Sequence, residues 1–346
     1  MLKRFRYVFL ITVDCLRADH VGCIGDGSLT PNIDKLARDG LVFTRAFANG
    51  PGTNQSFPAI FTSTYFLMHG GLRLLPGYKT LAEVMRENGF RTVGFHSNPF
   101  LSRVLGWNRG FEEYYAFLEE IKSPSAAVTR GGVIKKIVRT VVRGRIGYSR
   151  RVQSLLKRIY YRFTDFQVPY LEAEKLNQIV FEWVRENRDR RFFLWMHYMD
   201  PHIPLIPPER YLMDFSSRKE AFEFNVKVDA KNRAESLSED QLSILKNLYK
   251  GEVRYVDESV GELLAFLEDE GILDDSLLFL MADHGHAFME HQRFGHDPEI
   301  LYNEVLHVPL LIYGLNRAEK VDFPVQLLDI PPTMIDVLSL SLIHIS

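Results

Sequence analysis

Three apolar runs in this 346-residue chain each end in side chains able to hold a cation. Asp14 follows VFLITV, Asp283 and His284 follow LLFLMA, and His197, Asp200 and His202 follow FFLWM. If these runs are strands of one open α/β sheet, their carboxyl ends deliver the three sets to the same edge. Carboxylates and an imidazole together suit a divalent cation that keeps a position open for substrate. A single strand-end aspartate serves equally well to cap a turn or helix. Three enriched ends favour the cation. His296, in FGHDPEILYNEVLHVPLLIYG, stands shortly before another apolar run. A lone histidine there is more often structural, but beside an anionic ester it would bind a non-bridging oxygen or protonate the leaving group.

The segment NGPGTNQSFPAIFTS reads as a Gly/Pro-bounded loop entering a helix, with Thr53 and Ser56 at its start. Free N–H groups and the helix dipole favour an anion or alkoxide at that point. Serine and threonine are also the preferred N-caps, and the local pattern alone favours a cap.

Positioning these groups falls to short β-rich runs at Tyr7–Val13, Arg91–His96, Arg191–His197, Ser276–Ala282 and Val308–Tyr313. Amphipathic stretches at Asn32–Gly40, Thr80–Gly89, Leu171–Arg188 and Leu237–Gly271 alternate with them. Uniformly apolar strands between helices predict an α/β sandwich around a mostly parallel sheet. With 46% hydrophobic and 25% charged residues the chain has ample core, which excludes disorder and a disulfide-stapled miniprotein. Cys15 and Cys23 are too few for a disulfide framework and fit a reducing compartment. The apolar run at Tyr7–Val13 is interrupted by Asp14 with no small-residue cleavage site after it, is far shorter than a membrane span, and reads as a buried strand. A cytoplasmic location is the expectation.

Lys122–Arg162 carries twelve Lys/Arg and no Asp or Glu, inside a chain whose net charge is −2. Val133, Ile134, Ile137, Val138, Val141 and Val142, then Leu155, Leu156, Ile159 and Tyr160, recur there at roughly helical spacing. The expectation is a basic helical insertion in a single catalytic domain spanning 1–346, able to lie against an anionic membrane. Nucleic acid is disfavoured because the remaining chain is acidic and would repel it. Pro331–Val337 reads as a helix, and the closing SLSLIHIS, without cap or final strand, reads as a truncated or non-native end.

Five ordered blocks carry a resemblance: ITVDCLRADHVGCIG, TPNIDKLARDGLVFTRAFA, FLWMHYMDPHIPLIPP, YKGEVRYVDESVGELLAFLEDEGILDDSLLFLMADHG and FGHDPEILYNEVLHVPLLIYG. From Ile11 to Gly314 they resemble the sulfatase family of the alkaline phosphatase superfamily. The resemblance implies an alkaline phosphatase-like sandwich with helices on both faces, a divalent metal, and a nucleophile at a helix N-terminus. That nucleophile would attack a sulfate or phosphate ester of a small molecule, lipid or glycan. Asp14 falls on the first metal-binding aspartate, Cys15 on a second aspartate, and Asp283 and His284 on the later metal pair. That donor set shifts the expected ion toward Mn²⁺ or Zn²⁺, with Ca²⁺ and Mg²⁺ still open. His202 resembles the substrate-binding histidine, and His296 takes the place of a substrate-binding lysine or histidine. His96 and Asn98 lie near the family's Lys-x-His pair, and His197 joins them as a substrate-side candidate.

Here the chain departs from the family's Cys-x-Pro-Ser-Arg box. Spacing to Ile60–Ser63 puts Thr53 on the cysteine, Ser56 on the serine and Phe57 on the arginine; a competing register puts Ser56 on the cysteine. Threonine cannot become formylglycine. A formylglycine hydrate releases sulfate by elimination, which a plain alkoxide cannot do, so Thr53 favours phosphoryl over sulfuryl transfer. Three readings follow: a metal-dependent hydrolase of sulfate, phosphate or phosphonate esters; a transferase of a phospho-substituent on lipid or glycan; or a non-catalytic member, for which Cys15, Phe57 and His286 speak.

Overall fold

The computed structural model describes residues 5–25, 28–117, 168–232 and 237–340. The basic segment 122–162 and the last six residues lie outside them. Eleven strands are described: β1 (Tyr7–Val13), β2 (Gly40–Phe47), β3 (Arg91–His96), β4 (Glu113–Ala116), β5 (Phe192–Tyr198), β6 (Ser276–Ala282), β7 (Ala287–Phe288), β8 (Phe294–Gly295), β9 (His307–Tyr313), β10 (Glu319–Val321) and β11 (Val325–Gln326). The helices are α1 (Pro31–Arg38), α2 (Thr53–Thr62), α3 (Leu81–Glu87), α4 (Ala173–Asn187), α5 (Arg218–Asn232), α6 (Glu239–Asp269), α7 (Asn303–Leu306) and α8 (Ile330–Val337).

Nine strands form one sheet in the order β10-β2-β9-β6-β1-β5-β3-β4, with β11 also on β2. Only β9 runs against its neighbours, pairing antiparallel with both β2 and β6. The sheet is therefore mixed and mostly parallel, as the alternating pattern predicts. Every residue of β1, β5 and β6 is buried, which requires cover on both faces. One group of helices joins α1, α4 and α6, and another joins α2, α3 and α8. Sequence and packing meet at their ends. Asp257, within α6, accepts the Asn32 and Ile33 N–H groups at 3.1 and 2.8 Å and so satisfies the first turn of α1.

Register brings the site together. Val13 pairs with Tyr198 on one side and Ala282 on the other, so three strands stop at one level. Asp14 N–H then donates to Tyr198 O at 2.9 Å and Asp283 N–H to Val13 O at 3.3 Å. The expected strand at Arg191–His197 lies one residue later, and the helix expected to reach Gly40 stops at Arg38 because Gly40 opens β2. That β2 was not expected follows from its half-exposed pattern.

Candidate active site

Thr53 is the first residue of α2, and its hydroxyl faces the end of β1. Its Oγ1 donates to Asp14 Oδ2 at 3.3 Å and stands 3.4 Å from His284 Nε2. Asn98 Nδ2 donates to Asp14 Oδ2 at 3.0 Å and to Thr53 Oγ1 at 3.3 Å. Asn98 is itself fixed by its Oδ1, which accepts the Phe100 N–H at 2.9 Å. The loop before α2 needs its glycines: a Cβ on Gly50 would meet Gln55 Cβ at 2.3 Å.

Ser56 goes elsewhere. It is fully buried and its hydroxyl donates to Gly50 O at 2.9 Å, tying the loop to the helix. Phe57 is also core, edge-on to Trp195 at 5.5 Å and to His197 at 5.3 Å. No cation could replace that ring without losing the packing, a physical reason for the missing arginine.

His284 Nδ1 lies 2.9 Å from Gly285 O, which places the proton on Nδ1 and leaves the Nε2 lone pair inward. Nε2 is 3.5 Å from Asp14 Oδ1 and 3.6 Å from Asp283 Oδ2. Those two carboxylate oxygens are fully buried and have no hydrogen-bond partner among the described residues. Such orphaned acceptors are costly unless a cation satisfies them. Burial pushes Asp283 well up and the Asp14 charge pushes it further. For Asp14 burial acts upward too, but His202, then His197 and His284, outweigh it and hold its carboxyl well below the usual range. The donor set fits a divalent ion.

His197 faces Asp14 Oδ2 with Nε2 at 3.3 Å, while its Nδ1 is 2.9 Å from Thr12 Oγ1. Trp195 Nε1 donates to the same hydroxyl at 3.0 Å. Thr12 Oγ1 also donates to Met196 O at 3.2 Å, so the hydroxyl is fixed on three sides beside the His197 ring. Sequence reasoning placed His197 on the substrate side; in the structure it meets the same Asp14 oxygen as Thr53 and Asn98, and one of its ring nitrogens lies within 4.8 Å of carboxylate oxygens of both Asp14 and Asp283. Thr12 and Trp195 gave no signal beyond lying two residues before Asp14 and His197.

His202 and His296 border the site half-buried, their rings 5.3 Å apart, and the His296 ring is 4.5 Å from that of His284. Burial pushes His296 well down, helped by His284, His202 and His286, so its imidazole is neutral near pH 7. His96 is not in the cluster. It lies between Trp195 and Tyr114, at 5.3 and 4.9 Å, and burial lowers it to about 3. Burial, then Asp14 and Asp283, pushes the Cys15 thiol well up, so it is no nucleophile. His286, outside the candidates singled out from the sequence, is buried 5.7 Å ring to ring from His296.

Solved structures share this architecture. A phosphonate monoester hydrolase of Agrobacterium radiobacter aligns with a TM-score of 0.69 at 21% identity, covering 97% of this chain and 74% of that one. A protein of the alkaline phosphatase superfamily from Vibrio parahaemolyticus aligns at 0.63 and 17% identity, covering 98% and 68%. The fold is thus the α/β sandwich of the alkaline phosphatase superfamily. Within it the chain belongs to the sulfatase family, a family of ester hydrolases, whose model matches residues 6–340. An arylsulfatase of Clostridium perfringens is 24% identical, over 97% of this chain and 75% of its own length. Iduronate 2-sulfatase of Mus musculus is 24% identical over 90% of this chain and 60% of its own. The chain therefore spans about three fifths to three quarters of these curated relatives.

Proposed function

We propose that this chain is a metal-dependent hydrolase that acts at phosphorus, on phosphate or phosphonate esters, in preference to sulfate esters. The observation that carries the reading is the Thr53 hydroxyl, held at the start of α2 between Asp14 Oδ2, His284 Nε2 and Asn98 Nδ2. Asp14, Asp283 and His284 would hold a divalent ion, which when bound would lower the hydroxyl's pKa and offset the ester's negative charge.

The remaining chemistry rests on the chain's own residues. Asn98 orients the Thr53 oxygen and donates to it as negative charge develops. Thr53 Oγ1 attacks phosphorus, the new O–P bond forms and the bond to the leaving oxygen breaks. His202, bordering the site, supplies that oxygen's proton, and His296, its ring 5.3 Å away, borders the same ester. Water then attacks the threonyl phosphoester, Thr53 Oγ1 leaves and regains its proton, and the sum is ester plus water to alcohol plus phosphate or phosphonate. A threonyl sulfate would have no comparable route by elimination.

Support for phosphorus comes from the threonine and from the phosphonate hydrolase among the structural relatives, and the sulfatase relatives support the ester hydrolase class. The test is turnover by the purified chain and its Thr53→Ala variant on a panel of phosphodiester, phosphonate, phosphomonoester and aryl sulfate. The reading requires phosphorus esters to lead and Thr53→Ala to abolish the activity. Association of 122–162 with an anionic membrane belongs to the same proposal, and among the described residues no helix is long and apolar enough to cross one.

A further inference from the structure

Beside the Asp14–Asp283 pair stands a second set of donors of different chemical character. Cys15 Sγ and one ring nitrogen each of His286 and His296 lie within 4.8 Å of one another. They come from three segments: the second residue after β1, the residue before β7 and the residue after β8. Cys15 and His286 are 0% and 1% exposed, and neither ring nitrogen of His286 has a hydrogen-bond partner among the described residues. A buried imidazole normally bonds through at least one nitrogen, so both His286 nitrogens are open to serve as ligands.

His284 stands at the junction of this set and the first. Its Nε2 faces Asp14 and Asp283, whereas Cys15 Sγ lies on the opposite side, 3.8 Å from Nδ1. Cys15 Sγ also lies within 4.8 Å of donor atoms of both Asp14 and His284, so the two sets adjoin at Cys15. The Cys15 backbone, at φ +62°, redirects the chain between them. Arg17 braces the His286 segment, donating to His286 O at 3.1 Å and to Glu290 Oε1 at 2.9 Å.

We propose that Cys15, His286 and His296 form a second cation site, separate from Asp14, Asp283 and His284, that takes a thiophilic divalent ion such as zinc. One thiolate and two imidazoles select zinc over magnesium or calcium. Donors around tetrahedral zinc lie ~3.3–3.6 Å apart, so small side-chain movements close the triad. Three protein donors would leave a fourth position open, and the His202 ring stands 5.3 Å from that of His296.

The experiment loads the metal-free full chain with Co²⁺ and records bound metal and the thiolate-to-cobalt charge-transfer absorption. The expected result is about two equivalents and a clear charge-transfer band. Cys15→Ser should abolish the band and about one equivalent, while Cys23→Ser leaves both unchanged. His296→Gln, at a half-buried position that spares the fold, should weaken the same equivalent about tenfold or more. Asp283→Asn should remove the other equivalent and keep the band. No band in the parent protein, a band that survives Cys15→Ser, or a band lost with Asp283→Asn would overturn the proposal. An intact Cys15-dependent band with no Asp283-dependent equivalent supports it, and overturns the Asp14 site instead.

Discussion

Thr53 Oγ1 and Asp14 Oδ2, thirty-nine residues apart in sequence, are joined by a 3.3 Å hydrogen bond at the junction of β1 and α2. That bond links a strand end to a helix start, so the hydroxyl inherits the position of two rigid elements rather than of a loop. A nucleophile held in this way should be indispensable without being structural. Thr53→Ala should lower kcat by about three orders of magnitude or more with an unchanged melting temperature. Ser56→Ala, which loses only the bond to Gly50 O, should cost about 1 kcal/mol of stability and keep most activity. A dead Ser56→Ala beside an active Thr53→Ala would move the nucleophile to Ser56.

Cation binding should appear as stabilisation. An ion that binds only the folded chain raises the melting temperature by mass action, about 2.7 kcal/mol at a hundredfold excess over Kd. Titration of Mn²⁺ and Zn²⁺ into Asp14→Asn and Asp283→Asn should show most of that gain lost. Gains equal to the parent's in both variants would place the ion elsewhere.

The Trp195–Thr12–His197 chain beside Asp14 is open to a near-isosteric test. Thr12→Val removes the partner of Trp195 Nε1 and of His197 Nδ1, and should cost about 1–3 kcal/mol in denaturant unfolding and reduce kcat. Thr12→Ser should restore both. Equal losses in both variants would make the effect one of packing.

Stability should also fall as pH rises. Burial, then Glu172, lifts Asp200 to about 7, and Glu252 beside it is pushed up by burial and by Asp200. The folded chain then holds protons that the unfolded chain, with carboxyls near pH 4, has released. This contribution is fully present below about pH 4 and lost as pH rises through about 7. Asp200→Asn keeps an acceptor for the Ala173 N–H, now at 3.1 Å, and should gain about 1–3 kcal/mol on the parent at pH 8 but little at pH 5. Parallel pH profiles for the two proteins would contradict this.

For Lys122–Arg162, flotation with anionic liposomes should show binding at low salt that weakens as salt rises and vanishes when the segment is replaced by a polar linker. Protein that stays soluble at low salt would leave the segment as a solvated insertion.

What was legible in the sequence tracks how completely an element is buried. β1, β3 and β6 have the expected bounds because continuous apolar runs leave no alternative phase. β2, β4 and the short edge strands were missed, since half-exposed residues and two- or three-residue ladders carry no period to read. Asp14, Asp283 and His284 were legible as strand-end residues, and register alone brings them together. The place of Ser56, Phe57 and His96 was not, because each depends on which side of α2 or β3 meets the aromatic layer around Trp195. His286 was legible only as a departure from the family pattern, because its place beside Cys15 and His296 depends on how β7 and β8 pair.

The central claim is hydrolysis at phosphorus by an unmodified threonine. The most direct measurement is kcat/KM of the metal-loaded protein on an aryl phosphonate monoester and on the aryl sulfate with the same leaving group. The phosphonate should be turned over faster, with that activity lost in Thr53→Ala. Faster turnover of the sulfate, or phosphonate turnover that survives Thr53→Ala, would contradict the account.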